Sequence, residues 1–187
     1  KITYYLVEDD SKVHKRDGSV DYSALKLKKL TEIPSSHLIT PQRYLEQQLA
    51  EPLKTTITAL LAEKRRYTRY MGVITSWDAS VDRDVWTTNI DTAFMHKRMA
   101  EMGVFDDAKI SSVVEVGVGG GHLCAALAKH LPNLKTLSVT DISTYALRTA
   151  KRCIKPYLKT GSRIRYYLGK GIKSIEGGVD LMVINPP

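Results

Sequence analysis

An apolar strand, a glycine-rich turn and an apolar helix follow one another in the second half of the chain, and this order most restricts the possible fold. The pattern is SSVVEVGVGGGHLCAALAKHLP, residues 111–132. Leu123, Leu127 and Leu131 recur every four residues, which is typical of a helix. Glycines at a strand-to-helix turn let a ligand approach the backbone and point N–H groups at it. The sequence therefore predicts a ligand-binding turn at the end of a buried strand.

Strands and helices continue to alternate after this turn. TLSVTD, RIRYYLG and VDLMVIN are predicted strands, and ISTYALRTAKRCIKPYL is a predicted helix with Ser143 as its cap. Such alternation favours an α/β fold in which a parallel sheet carries helices on both faces.

The first part of the chain gives weaker signals. ITYYLVEDD and the turn residues Asp17-Gly18 indicate a small β element at the start. Helices are predicted from Thr40-Pro41 to about Glu51 and from Leu53 to Tyr70, then a polar connection over residues 73–90 and a helix over 91–102. We therefore expect a mainly helical accessory or substrate-recognition region, residues 1–85, before a ligand-binding core, residues 86–187.

Composition excludes several classes of protein. The 187 residues include two cysteines, Cys124 and Cys153, which predict no disulfide framework. The five histidines are scattered, so no metal site is predicted. No apolar stretch approaches the roughly 20 residues of a membrane span, and no signal peptide is visible, so a cytoplasmic setting is favoured. Because Lys1 is not a methionine, we expect residues upstream.

Positive charge is concentrated in one stretch of the core. The chain carries a net charge of +8, and no Asp or Glu occurs between Asp141 and Glu176. The first five basic residues of this stretch fall near one face of a predicted helix: Arg148, Lys151, Arg152, Lys155 and Lys159. The basic run at 148–173 predicts either a surface that follows a phosphate backbone or an ordinary solvated face.

Two acids accompany the glycine-rich turn. Asp141 ends the second predicted strand, 20 residues after Gly121, where a carboxylate can accept the hydroxyls of a ribose or simply cap the next helix. The glycines fall as GxGGG with Glu115 two residues before the first. An acid there suits a ligand that bears a cationic amino group and a sulfonium better than one that bears a pyrophosphate. S-adenosylmethionine is therefore favoured over a dinucleotide.

The three segments VVEVGVGGGHLCAALAKHLP, VTDISTYALRTA and VDLMVINPP together resemble a known family. They are similar to the class I S-adenosylmethionine-dependent methyltransferases with an Asn-Pro-Pro-aromatic motif, within the small-domain and release-factor glutamine methyltransferase group. The resemblance covers residues 88–187 and implies a Rossmann-like doubly wound parallel sheet. It also implies cofactor-binding residues at the methionine end, the ribose and the adenine: Glu115, Gly117, Val118, Gly119, Gly121, Asp141 and Ile142.

The same resemblance implies catalytic roles for Asn185 and Pro186. The Asn185 side-chain oxygen and the Pro186 carbonyl can each accept a hydrogen bond from an NH2 group and aim its lone pair at a methyl group. The expected function is N-methylation of a planar nitrogen, either a protein glutamine amide or an RNA or DNA base amine. Methylation of a small-molecule amine and a non-catalytic binding module of the same fold remain alternatives.

The chain departs from the family pattern in two places. Lys170 stands where the family has an acid near the adenine, and no aromatic residue follows Pro187. Such sheets also have three further strands. We therefore expect further sequence beyond Pro187.

Overall fold

The computed structural model describes residues 2–33, 55, 65–82, 84–88, 90–172, 175 and 177–185. The chain forms two compact units, residues 1–64 and 65–187. Among the described residues, no helix has the length and apolar character needed to cross a membrane. Within the same residues, no group of three or more His, Cys, Asp or Glu side chains is arranged to hold a metal ion.

The first unit contains an antiparallel pair of strands. β1 spans Ile2–Asp9 and β2 spans Lys26–Ile33, and their register is irregular at two places. Gly18 adopts a φ of 77° between them, at the turn that the sequence predicts. The predicted small β element at the start is thus confirmed, while the predicted helix over residues 41–51 lies outside the described residues.

A second hairpin opens the second unit. β3, Arg65–Tyr70, pairs antiparallel with β4, Val73–Asp78, through the two-residue turn Met71-Gly72. Both turn residues have positive φ, 50° and 68°, as a type I′ hairpin turn requires. The prediction of a helix up to Tyr70 is therefore wrong over residues 65–70, because Gly72 belongs to a hairpin turn instead of ending a helix.

The prediction of a polar connection over residues 73–90 is also wrong in its first part. Val73, Thr75 and Ser76 are buried residues of β4. Since residues 65–85 belong to the second compact unit, the structural division falls at Lys64/Arg65, upstream of the predicted boundary at residue 85. In the first unit the structure describes residues 2–33 and residue 55. Residues 2–33 contain strands and one short 3-10 turn, and the predicted mainly helical character of the region as a whole stays a prediction.

The remaining elements alternate as the sequence predicts. They are α1 (Ile90–Glu101), β5 (Ser112–Val116), α2 (His122–His130), β6 (Thr136–Asp141), α3 (Thr144–Ile154), β7 (Arg163–Leu168) and β8 (Leu181–Ile184). The four strands form a parallel sheet in the order β7-β6-β5-β8. The predicted α/β class with a parallel sheet is confirmed, and the carboxyl ends of all four strands lie at one edge.

Helix α2 lies in the centre of the core. Every residue from His122 to Ala128 is buried, and the helix shares its core cluster with the buried strand residues Val113 and Leu137. Gly121 precedes the helix with a φ of 76°, and a Cβ there would lie 2.8 Å from the Ala150 Cα. Gly121 is therefore required twice, for its backbone conformation and for the close approach of α3.

The start of β8 is fixed to the start of β5. One carboxylate oxygen of Asp180 accepts hydrogen bonds from the backbone N–H groups of Ser111 and Ser112, both at 2.8 Å, and from the Ser111 hydroxyl. The Asp180 N–H donates to the Ser112 carbonyl at 2.9 Å. Leu181 then pairs with Val113, and the register of the two strands is set before β8 begins.

Candidate functional site

A pocket opens at the carboxyl ends of β5 and β8. The glycine-rich turn forms its floor, the segment before α1 forms its rim, and Asn185 enters from the end of β8. The lining residues are Trp86, Thr87, Thr88, Thr92, Glu115, Gly117, Val118, Gly119, Gly120, Gly121, His122, Leu123 and Asn185. Six of the predicted site residues, Glu115, Gly117, Val118, Gly119, Gly121 and Asn185, thus meet in one place.

Glu115 is a buried acid with an unsatisfied oxygen. Its side chain is 4 % exposed, and its Oε2 has no hydrogen-bond partner among the described residues. Burial raises the pKa of Glu115 to about 7, hydrogen bonding with Cys124 opposes that rise, and the negative charge of Asp141 adds to it. A cationic group in the pocket would stabilise the ionised form of this carboxyl.

Asp141 differs from Glu115 because both of its carboxylate oxygens have hydrogen-bond donors. It ends β6, and its two carboxylate oxygens accept backbone N–H groups from both sides, Gly119 at 3.0 Å and Ser143 at 2.9 Å. Its carboxylate therefore fixes the glycine-rich turn and the start of α3 together. Ser143 caps α3 as predicted, since its hydroxyl accepts from the Ala146 N–H. Ile142, the predicted adenine contact, is exposed beside Asp141.

The turn glycines face different surroundings. A Cβ at Gly119 would lie 2.9 Å from the Trp86 carbonyl oxygen, and the Gly120 N–H donates to that same oxygen at 3.0 Å. Gly117 has a φ of 76° and no described atom within 4 Å of the position a Cβ would take. The turn is thus closed on the side of Trp86 and open at Gly117.

Two buried histidines lie at the pocket: His122 is a lining residue, and His96 packs against it. His122 Nδ1 lies 2.7 Å from Thr75 Oγ1, and the His122 ring stacks on His96 with centroids 5.3 Å apart. Burial lowers the pKa of His122 to about 3 and that of His96 to about 4, with neighbouring histidine charges as the second cause. Both rings are therefore neutral near pH 7 and bring no positive charge to the site.

The basic run divides into exposed and engaged members. Arg148 and Lys151 are exposed on α3, Lys155 is exposed directly after it, and Arg163 and Arg165 are exposed on β7. Arg152 instead turns to the buried Asp82, and the Lys159 ammonium donates to the Leu131 carbonyl at 2.6 Å. The exposed face is therefore narrower than the sequence predicts.

Four predicted features are not among the described residues that line the pocket. Asp141 and Ile142 are two of them, although Asp141 accepts the N–H of Gly119, which does line it. Pro186 lies outside the described residues, so its expected role stays a prediction. Lys170, which stands in place of an acid, is exposed after β7 and does not line the pocket.

Of the rim residues, the sequence analysis missed Trp86. Thr87 and Thr88 begin the segment TTNIDTAF, which resembles the stretch that such methyltransferases place before the core near cofactor and substrate. Trp86 reaches the glycine turn through its backbone carbonyl, and a backbone contact leaves no residue pattern to detect. Thr92 is buried in the pocket lining, and it falls at the start of the helix that the sequence predicts over residues 91–102.

These features define a class of protein. A glycine-rich turn after the first strand of a parallel α/β sheet, an acid at the end of the next strand and an asparagine after the strand on the other side together make a class I methyltransferase core. The donor set also fits S-adenosylmethionine, because an unsatisfied buried carboxylate suits its cationic amino group and open space at Gly117 leaves room beside the turn.

The chain belongs to the methyltransferase small domain family, whose model matches residues 90–187. S-adenosylmethionine is the methyl donor of this family, so the predicted cofactor and enzyme class are confirmed at the level of the family. The predicted resemblance is confirmed for the small-domain methyltransferases, while the Asn-Pro-Pro-aromatic motif stays a prediction.

Individual relatives agree with this assignment. The chain is 31% identical over 75 residues to the ribosomal RNA small subunit methyltransferase C of Hahella chejuensis. These 75 residues make up 40% of this chain and 21% of the relative. The chain thus spans about a fifth of the length of the curated relative that it matches.

Two solved structures also share similarity with the chain. A dimethyladenosine transferase from Plasmodium falciparum is 29% identical with a TM-score of 0.34, over 46% of this chain and 32% of its own. A Pyrococcus horikoshii protein, assigned as an RNA methyltransferase, is 15% identical with a TM-score of 0.42, over 75% and 59%. Both TM-scores are low, so the assignment rests on the family match.

Proposed function

We propose that this protein transfers a methyl group from S-adenosylmethionine to a planar base nitrogen of RNA. The observation that carries the proposal is the meeting of Glu115, the glycine-rich turn and Asn185 in one pocket. These groups come from the ends of two neighbouring strands, β5 and β8, which pair in parallel. A donor-binding surface and a polar group for the acceptor are thereby brought within one small volume.

The cofactor would be held by the residues of β5, the turn and β6. The Glu115 carboxylate would pair with the cationic amino group, and the turn at Gly117 would leave space for the methionine end. Asp141 would accept the ribose hydroxyls with the lone pairs that its two backbone N–H contacts leave free, and Ile142 would cover the adenine. When bound, S-adenosylmethionine supplies an electrophilic methyl group that the acceptor nitrogen attacks as the carbon–sulfur bond breaks.

Asn185 would hold the acceptor. Its side-chain oxygen would accept a hydrogen bond from the acceptor NH2, and the Pro186 carbonyl would accept a second. Two acceptors at fixed angles draw a planar nitrogen toward tetrahedral geometry, which makes its lone pair available for the transfer. Asn185 orients the nitrogen without removing a proton from it, since a carboxamide is not a base at neutral pH.

The exposed basic face supports RNA as the acceptor. Arg148 and Lys151 on α3 and Lys155 directly after it are exposed, and no acid occurs between residues 142 and 175. This face is therefore suited to phosphate contacts. The matched relative is a ribosomal RNA methyltransferase, which favours the same class of acceptor. The buried thiol of Cys124 suits the reducing cytoplasm, which we propose as the setting.

Substitution of Asn185 tests the proposal. Asn185→Ala is expected to lower single-turnover methyl transfer to unmodified small-subunit ribosomal RNA on the order of 10²–10³-fold, as loss of one preorganised hydrogen-bonding group does elsewhere. Binding of S-adenosylmethionine, measured by calorimetry, should stay within about twofold because the cofactor contacts lie on other strand ends. Asn185→Asp retains an acceptor oxygen and should fall between Ala and wild type.

A wild-type rate in Asn185→Ala would reduce the segment after β8 to a turn and remove the planar-nitrogen assignment. Absence of cofactor binding in the wild-type protein would instead favour a non-catalytic binding module.

A further inference from the structure

The chain has two tryptophans, and their surroundings differ. Trp77 is half-buried in β4, its Nε1 donates to the Asp82 carbonyl at 3.1 Å, and the Arg66 guanidinium lies 4.2 Å from its ring centroid. Trp86 lies at the pocket rim and its side chain is 62 % exposed. Trp77 is thus accounted for by packing within the hairpin, while Trp86 presents a large aromatic surface to solvent beside the site.

Trp86 is held on the glycine-rich turn by its backbone. Its carbonyl oxygen accepts the Gly120 N–H at 3.0 Å, and a Cβ on Gly119 would come within 2.9 Å of that oxygen. The neighbouring Val85 is buried. The exposed indole therefore stands on a backbone whose position is fixed relative to the pocket.

A buried ion pair anchors the segment that leads to Trp86. Asp82 is 1 % exposed, and its carboxylate accepts hydrogen bonds from the Arg152 guanidinium, the Thr149 hydroxyl at 2.6 Å and the Asp78 N–H at 2.7 Å. Arg152 and Thr149 belong to α3, the helix that carries the exposed basic face. One side of α3 thus holds the rim segment in place while the other presents cations to solvent.

We propose that Trp86 stacks on the unpaired nucleobase that accepts the methyl group, an inference that rests on the proposed function. Any base offers a π-face to an indole, and such stacking contributes about 1–3 kcal/mol per base. Trp86 and Asn185 line the same pocket, so a base on the indole would bring its exocyclic edge toward the carboxamide. The cations of α3 would then contact the flanking phosphates.

A glutamine side chain as acceptor would use neither feature, since its amide presents no aromatic face and its backbone carries no phosphate. An exposed aromatic ring and a basic helix linked through Asp82 therefore favour a nucleic acid over a protein acceptor.

The test compares Trp86→Ala with Trp86→Phe and a matched control. Met102→Ala removes another exposed apolar side chain, 73 % exposed and outside the pocket lining. The probes are an unmodified small-subunit ribosomal RNA transcript and labelled S-adenosylmethionine. Trp86→Ala is expected to raise the KM for RNA about 5–150-fold, the equivalent of losing one stacked base. Trp86→Phe should restore it to within about threefold, and Met102→Ala should leave it unchanged.

Two readouts separate binding from activity. Cofactor affinity by calorimetry should stay within about twofold in all three variants. RNA should quench the tryptophan fluorescence of the wild-type protein and leave that of Trp86→Phe, which retains only Trp77, nearly unchanged. If Trp86→Ala does not fold, Trp86→Leu replaces it, since leucine keeps apolar bulk without a π-face.

An unchanged KM for RNA in an active Trp86→Ala or Trp86→Leu protein would overturn the stacking assignment and leave the proposed function intact. A parallel loss of cofactor affinity would make Trp86 a wall of the cofactor site instead. Methyl transfer by the wild-type protein to a protein fraction but not to RNA would overturn both the RNA acceptor and the stacked base.

Discussion

Two acids near the carboxyl ends of adjacent strands, Glu115 on β5 and Asp141 on β6, differ in how their carboxyl oxygens are hydrogen-bonded. Asp141 has a backbone N–H on each of its carboxylate oxygens. Glu115 is buried with one oxygen unsatisfied, and its pKa is raised to about 7. Both carboxylate oxygens of Asp141 are thus satisfied within the protein, while Glu115 keeps one oxygen that a bound cation could pair with.

The difference separates two ways of building a binding site. Asp141 shapes the glycine-rich turn whether or not a ligand is bound, so its contribution to binding cannot be removed without also disturbing the fold. Glu115 is held at a cost to folding, because a buried carboxylate is stable only when neutral or paired. Substitution of Asp141 should therefore lower both the free energy of unfolding and the cofactor affinity. Substitution of Glu115 should raise the free energy of unfolding and lower the cofactor affinity.

The largest effect is expected for Asp141→Ala. Losing hydrogen bonds to a charged group should weaken S-adenosylmethionine binding by about 1.5–3 kcal/mol, roughly tenfold or more. The free energy of unfolding should also fall, by about 1–3 kcal/mol, since the N–H groups of Gly119 and Ser143 lose their acceptor. Calorimetry and urea denaturation measure the two quantities. Asp106→Ala, an exposed carboxylate outside the pocket lining, is the control and should change neither.

Glu115→Gln should separate the two quantities. The amide keeps the size and one acceptor oxygen but cannot pair with a cation, so cofactor affinity at pH 8 should fall about tenfold. The free energy of unfolding at pH 8 should rise, because an ionised carboxylate no longer has to be buried. If both the cofactor affinity and the free energy of unfolding fell, Glu115 would behave like Asp141, and the proposed difference between the two acids would be wrong.

The pH dependence follows from the raised pKa of Glu115. Since its folded pKa of about 7 lies above the ordinary value of 4.5, the group stabilises the fold below about pH 4.5 and that contribution is lost as the pH rises to 7. The loss amounts to roughly 3 kcal/mol of unfolding free energy. Cofactor affinity should run the other way, rising by about tenfold in total as the pH rises to about 7 and Glu115 ionises, and then levelling off.

Glu115→Gln supplies the control for both pH profiles. Denaturation and calorimetry across pH 5–8 should show each slope reduced in this variant. An affinity profile that stays flat in the wild-type protein would mean that the ionised carboxyl does not meet the cation.

The smallest effect is expected for Gly117→Ala, in the glycine-rich turn between β5 and α2. A side chain at positive φ should lower the free energy of unfolding by about 1–2 kcal/mol. Its methyl group would also occupy the open space beside the turn, so cofactor affinity should fall by roughly 1 kcal/mol, about fivefold. Gly161→Ala is the matched control, with a φ of 86° and equally open surroundings. It should lose stability alone, and an equal loss of affinity there would assign the effect to general destabilisation.

The parallel sheet and most of the pocket follow from the sequence because local pattern decides them. The apolar strands, the turn glycines and the acids all lie within short segments whose spacing carries the signal. The hairpin β3–β4 does not follow, since RRYTRY is basic and ends near Gly72, as a helix can, and Met71 gives no sign of its positive φ. The contact between Asp82 and Arg152 is also invisible, because it joins side chains 70 residues apart.

Asp180 fixes one end of β8, and Asn185 stands just past the other. The four residues between them, at about 3.3 Å each, span roughly 13 Å. The position of Asn185 is therefore set by the strand register that Asp180 fixes at the opposite edge of the sheet. A register slip of two residues would keep the same side chains facing the core and yet displace the carboxamide by nearly 7 Å. Under the proposed function, the alignment of the acceptor would therefore depend on the Asp180 carboxylate at the opposite edge of the sheet. A substitution there would lower methyl transfer although every residue of the pocket is unchanged.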